Sequence, residues 1–447
     1  MNLVFLVSLL AMLPVQPDIT ISSDSFEFRQ IARVPYSSWM KITCGDADHD
    51  GLQEFYATAR WSPHDAYILE FTPDMNYDTI RMPGLQSARF CFLSDLDRDG
   101  KADLGLAKEE PNDTFFIYES ADSASLPLQC VWQAEVASTP YPIITDLDVD
   151  SALEFVVKNF RLPGSGLSWF ENVGDDSYIF KGVLPNRPEI GIYGFGSTPD
   201  VDRDGLPEIF KVGARVVGIY EAVDNDSFVI TAVRSLPPTG PLGDAAPVAG
   251  GPDIDGDGRN EAIVFAVDAD NMGVLAIYES PENDSFEVVW FTYFPSSRFT
   301  FHTLSVGDVT GDGVPEIAVG DGRYVRLFRC TGNDNYEQFW QQYIGWHEVG
   351  LYDLNNDGKA EVICHDYTDD THTTIYEYCQ VGIAERQLRQ LERIGISPSV
   401  VARGKTIGLD RLPDGTNVQV VDVSGRVVAE PERVWHTRAV SPGAYFL

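Results

Sequence analysis

Basic residues are scarce in this sequence. Lysine and arginine together number 32, against 68 aspartates and glutamates, which gives a formal net charge of −36. Such an excess of negative charge repels phosphate backbones and anionic headgroups, so the composition argues against a nucleic-acid partner. The acids must either form a solvated, self-repelling surface or cluster around hard cations, and their positions decide between the two explanations.

Motifs of catalysis and of structural zinc are also absent. None of the six cysteines belongs to a C-x-x-C motif, so a zinc site has no support, while disulfides and buried free thiols both stay open. The seven histidines show no H-E-x-x-H spacing, and no G-x-S-x-G elbow occurs. We therefore predict no catalytic residues and no organic cofactor, and we expect that the protein is not an enzyme.

Long apolar segments are missing except at the N-terminus. The run at 3–13 has the length of a signal-peptide core and is too short to span a bilayer comfortably. We assign 1–17 as a signal peptide and expect a protein that is secreted or displayed at the cell surface, with no transmembrane segment after signal removal. Because no positive n-region precedes the run, a buried first strand is the competing interpretation.

What the sequence does contain is an acidic nonapeptide, D-x-D-x-D-G-x-x-[DE], that recurs seven times. Successive copies begin 45 to 55 residues apart, which suits one four-stranded propeller blade and is too long for a solenoid coil. A lone copy would be interpreted as an acidic surface turn, but seven copies in register would not. We number the copies loops 1 to 7; they span 46–54, 95–103, 146–154, 200–208, 253–261, 308–316 and 353–361.

The segments between the loops repeat as well. A short apolar run follows each loop, such as 155–157, and then comes a strand with an aromatic–acid pair such as Tyr220-Glu221. A polar turn and a fourth strand follow, as in 224–229. No helical period of 3.6 residues accompanies the loops, which argues against EF-hand-like helix pairs. The fold class that we predict is all-β, a seven-bladed β-propeller.

The last blade stops short of its fourth strand. After Tyr376-Glu377 no further strand of this type appears, yet Asp24-Ser25-Phe26 near the N-terminus matches one and has no blade of its own. We therefore predict that residues 24–33 supply the outer strand of the blade that contains loop 7. Closing the ring in this way leaves only short, protected strand edges.

The loop chemistry matches the ligand requirements of calcium, which takes about 6 to 8 oxygen ligands. Acids at positions 1, 3 and 5 can converge, the glycine at position 6 permits a sharp turn, position 7 can offer its carbonyl, and the acid at position 9 closes the site. We predict up to seven Ca²⁺ ions. The predicted ligands are Asp46, Asp48, Asp50, Leu52 and Glu54; Asp95, Asp97, Asp99, Lys101 and Asp103; Asp146, Asp148, Asp150, Ala152 and Glu154; Asp200, Asp202, Asp204, Leu206 and Glu208; Asp253, Asp255, Asp257, Arg259 and Glu261; Asp308, Thr310, Asp312, Val314 and Glu316; Asp353, Asn355, Asp357, Lys359 and Glu361.

Individual loops differ in quality. Loop 3 carries Ser151 where the other six carry glycine, which places a side chain where a strained backbone is expected. We therefore predict that loop 3 is the weakest site.

With these residues in view, the chain resembles the FG-GAP (VCBS-type) repeats of integrin alpha-subunit propellers and of exported bacterial proteins. The resemblance covers residues 24–380 and includes Phe195-Gly196 before loop 4. It implies that each acidic loop binds calcium between adjacent strands of a blade. It gives no support for integrin-like ligand specificity.

The C-terminal segment follows a different pattern. We interpret 381–397 as a linker and 398–447 as a small β-sandwich, with strand-like runs at 418–423 and 426–428 and a terminal Pro-Gly-Ala-Tyr-Phe. This order resembles the C-terminal sorting domain of bacterial type IX secretion. An accessory module without a targeting role is the alternative.

The function that we predict is a binding or adhesion module for a protein or glycan at the cell surface, in a monomeric protein. Two alternatives stay open: a polysaccharide lyase or glycosidase built on a propeller, and a purely structural surface protein. Nearly every clustered carboxylate pair belongs to an acidic loop, which weakens the enzymatic alternative.

Overall fold

A computed structural model describes most of the region that carries the repeats. The described residues are 25–36, 41–58, 65–82, 84–85, 88–108, 114–136, 142–159, 166–187, 190, 194–213, 215–237, 248–297, 303–343, 348–366 and 372–381, with five short strands between 406 and 446. The predicted signal peptide at 1–17 and the linker beyond residue 381 lie outside the described residues.

Seven four-stranded antiparallel sheets form the blades, which we number by their acidic loops. Blade 1 is β2 (Cys44–Gly45), β3 (Gln53–Thr58), β4 (Ala66–Phe71) and β5 (Tyr77–Met82); blade 2 is β6 (Arg89–Ser94), β7 (Asp103–Lys108), β8 (Thr114–Ser120) and β9 (Pro127–Glu135); blade 3 is β10 (Ile143–Thr145), β11 (Glu154–Asn159), β12 (Gly166–Gly174) and β13 (Ser177–Val183); blade 4 is β14 (Gly194–Ser197), β15 (Ile209–Val212), β16 (Val216–Asp224) and β17 (Ser227–Ser235); blade 5 is β18 (Val248–Gly251), β19 (Glu261–Val267), β20 (Met272–Glu279) and β21 (Glu287–Pro295); blade 6 is β22 (Thr303–Gly307), β23 (Glu316–Gly320), β24 (Tyr324–Gly332) and β25 (Asn335–Tyr343); blade 7 is β26 (Val349–Tyr352), β27 (Glu361–Asp366), β28 (His372–Val381) and β1 (Ser25–Val34).

The sheet order confirms the predicted fold class. In blades 1 to 6 the strands follow one another in chain order, so each acidic loop connects the first strand of a blade to the second. The apolar run after each loop is the second strand, and the aromatic–acid pair lies on the third. Because the loop repeats at the same turn of each sheet, all seven loops occupy equivalent places in their blades.

Blade 7 takes its fourth strand from the start of the chain. Its sheet order is β1-β28-β27-β26, as the sequence predicts. Contacts between blades 7 and 1 complete the ring: the Tyr352 hydroxyl donates to the Ile42 carbonyl at 3.1 Å. A Cβ on Gly350 would lie 2.6 Å from Ile42 Cβ, so only glycine permits this close packing.

The hydrophobic core lies mainly between neighbouring blades. One cluster joins Phe210 and Ile219 of blade 4 to Val264 and Tyr278 of blade 5, and all four side chains are buried. These strands are rich in β-branched and aromatic residues, which pack well on pleated surfaces. Burial also raises the pKa of the Cys91 thiol, in a core cluster of blades 2 and 3, to about 12.

The C-terminal segment is described only as short strands. β29 (Thr406–Gly408) pairs with β32 (Val434–His436), and β30 (Val420–Asp422) pairs with both β31 (Val427–Ala429) and β33 (Tyr445–Phe446). These pairings agree with the predicted strand-like runs, while the β-sandwich itself stays a prediction. Residues Gln30–Glu377 form one compact unit, and Met1–Arg29 with Tyr378–Leu447 form another. No helix in the described part of the chain is long and apolar enough to cross a membrane.

Candidate metal centres

Each acidic loop is closed by the same three hydrogen bonds. The position 2 N–H donates to the position 9 carboxylate, the position 6 N–H to the position 1 carboxylate, and the position 7 N–H to the position 5 carboxylate. In loop 4 these are Val201 to Glu208 at 3.0 Å, Gly205 to Asp200 at 2.8 Å and Leu206 to Asp204 at 3.0 Å. All seven loops share this pattern, so the repeated acids build one backbone structure.

Positions 4 and 6 adopt left-handed backbone conformations. Position 6 has a positive φ in every loop, and Ser151 adopts it at 81° without the glycine of the other six. Position 4 of loop 3 is Val149, a β-branched residue at φ 59°. Both conformations are costly for residues with a Cβ. The strain that the sequence predicts at Ser151 is therefore present, and Val149 adds to it.

Carboxylate oxygens converge inside the first three loops. In loop 1, one oxygen from each of Asp46, Asp48, Asp50 and Glu54 lies within 4.8 Å of the others. The same limit holds for positions 1, 3 and 9 of loop 2 and for positions 1, 3 and 5 of loop 3. The structure thus brings all four predicted side-chain ligands of loop 1 together and three of the four in each of loops 2 and 3. The carbonyls of position 7 stay a prediction.

The second oxygen of several loop acids has no partner. In loop 1, Glu54 Oε2 accepts the Ala47 N–H at 2.7 Å, while buried Oε1 has no hydrogen-bond donor. Asp48 Oδ1 is in the same situation, and so are Asp103 Oδ1 and Glu154 Oε1 in loops 2 and 3. Buried oxygens without donors are costly unless a cation or water satisfies them. These donor sets fit a hard, oxygen-seeking cation.

The position 9 acids have raised pKa values. Burial, reinforced by the neighbouring loop acids, raises the pKa of Glu54, Asp103, Glu154, Glu208, Glu261 and Glu361 to about 8 and that of Glu316 to about 7. Backbone N–H donors oppose the shift only in part. A bound cation would favour the ionised carboxylates and reverse it.

A contact that sequence reasoning missed joins neighbouring blades. The position 3 carboxylate of one loop accepts an N–H from the turn between the third and fourth strands of the next blade. The pairs are Asp97 with Asp176 at 2.9 Å, Asp148 with Asp226 at 2.7 Å, Asp202 with Asp284 at 2.8 Å, and Asp255 with Asp334 at 2.7 Å. The polar turns therefore complete the preceding loop as well as joining strands. The Asn-Asp that three of the four turns share is the signal that could have revealed the contact.

The acid of the aromatic–acid pair is a second missed component. Glu119, Glu171, Glu221 and Glu279 lie on third strands, each no more than 6% exposed. Burial raises the pKa of Glu221 to about 8, with further contributions from Asp204, Asp202 and Asp284. Each blade from 2 to 5 thus adds a carboxyl beside its loop, at the boundary with the next blade.

Loops 6 and 7 depart from the pattern at position 3. Loop 6 has Thr310 there, and the blade that follows it has no turn between its third and fourth strands, because β1 comes from the other end of the chain. In loop 7, Asn355 donates its amide to Glu361 Oε1 at 2.9 Å and accepts the Asp357 N–H at 2.9 Å. Asn355 therefore closes its loop by hydrogen bonding.

Contacts from loop to loop continue around the ring. The Arg98 guanidinium at position 4 of loop 2 donates to the Ser151 carbonyl of loop 3 at 2.7 Å, and Arg203 of loop 4 donates to the Gly258 carbonyl of loop 5. The Asn356 amide of loop 7 donates to the Gly51 carbonyl of loop 1 at 2.6 Å. The last contact links the final loop of the sequence to the first.

Comparison with known proteins agrees with the repeat assignment. A family model described as FG-GAP-like repeat matches residues 253–319 and 308–364, which include loops 5 to 7. Residues 253–364 carry FG-GAP-like repeats. No curated protein matches. A solved structure titled "Crystal structure of BBS1N in complex with ARL6DN, soaked with lead" aligns with a TM-score of 0.46 at 11% identity, covering 79% of this chain and 97% of that one.

Proposed function

We propose that this protein is a calcium-stabilised propeller that acts as a binding or adhesion module for a protein or glycan. The observation that carries the proposal is the set of convergent loop carboxylates, several with buried oxygens that no donor satisfies. Calcium suits these sites better than magnesium, because it accepts more oxygen ligands in less regular geometry. In this proposal the ions rigidify the loop ends of the blades.

The ligand-binding role rests on a difference between the acidic loops and the other surface loops of the blades. The loops that carry the acids are engaged in hydrogen bonds to their own backbone and to the next blade, so they are built for stability. Surface loops at other turns are then left to contact a partner, as connecting segments on rigid scaffolds commonly do. The FG-GAP-like repeats support a binding or structural module of this kind.

Export forms part of the proposal. It rests on the apolar run within 1–17 and on the resemblance of 398–447 to a secretion sorting domain. Extracellular calcium, at millimolar concentration, would also suit modules of modest affinity. Fractionation of the producing cells should recover the protein outside the cytoplasm, and exclusive recovery from the cytoplasm would contradict this part.

A glycan array probed with the calcium-loaded full chain tests the binding role, alongside a reducing-sugar assay on the glycans that bind. We expect retention of a defined glycan class, or capture of a defined surface protein, without release of reducing ends. Release of sugar would favour the lyase or glycosidase alternative. Failure to bind any glycan or surface protein would leave only the structural role and overturn the proposal.

A further inference from the structure

The boundary between successive blades contains a second group of acids, separate from the interior of the loops. It comprises the glutamate of the aromatic–acid pair, loop positions 3 and 5, and the turn acid of the next blade. Three of these groups contain a basic side chain. Lys101 Nζ lies 2.9 Å from Glu119 and 2.5 Å from Asp99 in blade 2.

Blades 3 and 5 also place a basic side chain beside the buried glutamate, on the fourth strand in blade 3 and at loop position 7 in blade 5. In blade 3, Lys181 Nζ lies 2.8 Å from Glu171 and 2.6 Å from Asp226. In blade 5, Arg259 Nη1 lies 3.2 Å from Glu279 and 3.5 Å from Asp257. An ammonium or guanidinium group therefore sits beside the buried glutamate in each of these blades, as a buried carboxylate requires.

Blade 4 has the acids but lacks the cation. Loop position 7, which supplies Lys101 in blade 2 and Arg259 in blade 5, is Leu206. Lys181 is the extra residue of a bulge between the third and fourth strands of blade 3. The pairing there passes from Trp169 with Gly182 to Phe170 with Phe180 and skips Lys181. Blade 4 has the same bulge between its third and fourth strands, and Thr231 is the extra residue there, in the position that Lys181 has in blade 3.

The side chains of this group have unsatisfied oxygens. Glu221 is 6% exposed, and its Oε2 has no hydrogen-bond partner. Asp204, Asp202 and Asp284 are near enough to add to the effect of burial on its pKa, and the Asp204 carboxyl is also within hydrogen-bonding reach. Thr231 Oγ1 is buried and has no partner either. Among the residues that the structure describes, no lysine or arginine pairs with Glu221. A buried carboxylate among three others, with no positive charge beside it, is the arrangement that a metal ion stabilises.

Hydrogen bonds hold the surrounding acids in place. Asp284 N–H donates to Asp202 Oδ2 at 2.8 Å, and the Asn283 amide donates to Asp204 Oδ2 at 3.2 Å. These bonds fix the turn of blade 5 against loop 4. Each carboxylate oxygen keeps a further lone pair, so the acids can also coordinate an ion.

We propose that Glu221, Thr231, Asp202, Asp204 and Asp284 bind a calcium ion between blades 4 and 5, in addition to any ion inside loop 4. The ion takes the place that the Lys181 ammonium occupies between blades 3 and 4. All candidate ligands are oxygens, and the set combines carboxylates with a hydroxyl, which calcium accepts in flexible geometry. Asp202 and Asp204 would then be shared between two sites.

A reciprocal exchange between blades 3 and 4 tests the proposal. Calcium bound to the full chain is counted by equilibrium dialysis and elemental analysis for the wild type, Thr231→Lys and Lys181→Thr. Thr231→Lys places an ammonium in the site and should bind one ion fewer than the wild type. Lys181→Thr recreates the blade 4 arrangement in blade 3 and should bind one ion more.

Two further variants keep the test decisive. Glu221→Gln should also bind one ion fewer, and circular dichroism checks that each variant is folded. Glu316→Gln in loop 6 reports on the loop sites alone. If this variant binds one calcium ion fewer while Thr231→Lys and Glu221→Gln bind as many as the wild type, the proposed site between blades 4 and 5, the interblade site, is overturned and the loop sites stand. If the count falls only for Thr231→Lys and Glu221→Gln, the interblade site stands and the loop sites fail.

Discussion

Ser151 occupies the position where the six other loops have glycine, and its φ of 81° shows that the turn requires the left-handed backbone whatever the residue. Its N–H still donates to Asp146 Oδ2 at 3.0 Å, so loop 3 has the same hydrogen bonds as its neighbours. The free-energy cost of Ser151 therefore lies in its backbone conformation and not in a lost hydrogen bond. A non-glycine residue in this region costs of order 1 kcal/mol.

We expect Ser151→Gly to raise the free energy of unfolding by about 1 kcal/mol, because glycine adopts this φ without steric cost. Chemical denaturation in calcium-free buffer measures the change. The matched variant is Gly100→Ser in loop 2, where φ is 89° and a Cβ would meet no heavy atom within 4 Å. It should destabilise by a similar amount, and no effect in either variant would show that the turn conformation carries no strain.

Among the structural elements, the first strands of blades 1, 4, 5, 6 and 7 contain a glycine at which the neighbouring blade approaches closely. A Cβ on Gly250 of β18 would lie 2.8 Å from the Thr198 Cα and 2.4 Å from the Pro199 Cδ of blade 4. Backbone atoms cannot move aside as a flexible side chain can. The close packing of β18 against blade 4 therefore requires glycine at position 250.

Gly250→Ala should lower the free energy of unfolding by about 1 to 3 kcal/mol, the usual cost of overpacking. Gly182→Ala on an outer strand is the control, since its Cβ would lie 3.4 Å from the Trp169 Nε1, an ordinary contact. Thermal melts of both variants give the comparison. Equal melting temperatures for the two variants would contradict the packing argument.

The sequence predicted elements better than the contacts between them. The loop pattern, the run 155–157 and the pair Tyr220-Glu221 identified strands because they depend on local chemistry and burial. The contact of Asp202 with the Asp284 N–H joins residues 82 apart, and the Asn-Asp of the turn marks the donor without indicating which loop accepts its hydrogen bond. The pairing of β1 with blade 7 is the one contact between distant segments that the sequence predicted. Blade 7 lacks an outer strand in the sequence, and the segment near Ser25 resembles one but belongs to no other blade.

For the whole molecule, whose net charge is −36, the buried acids of the loops make stability depend on pH. The seven position 9 carboxyls have pKa values raised to about 7 or 8, against ordinary values of 4.5 for the six glutamates and 3.8 for Asp103, and burial is the largest cause in each. Between these values the folded chain binds more protons than the unfolded chain. Without metal, the stability from these protons is therefore fully present below the ordinary pKa values, 4.5 for the glutamates and 3.8 for Asp103, and is lost as the pH rises through about 7 to 8.

Calcium should replace those protons as the pH rises. The most direct test of the account is the melting temperature of the full chain, measured with millimolar calcium and after removal of metal, at a series of pH values from 5 to 8. We expect the metal-free melting temperature to fall across this range, and the increase caused by calcium to become larger as the pH rises. A melting temperature that calcium does not change at any pH would contradict the claim that the seven acidic loops are calcium sites.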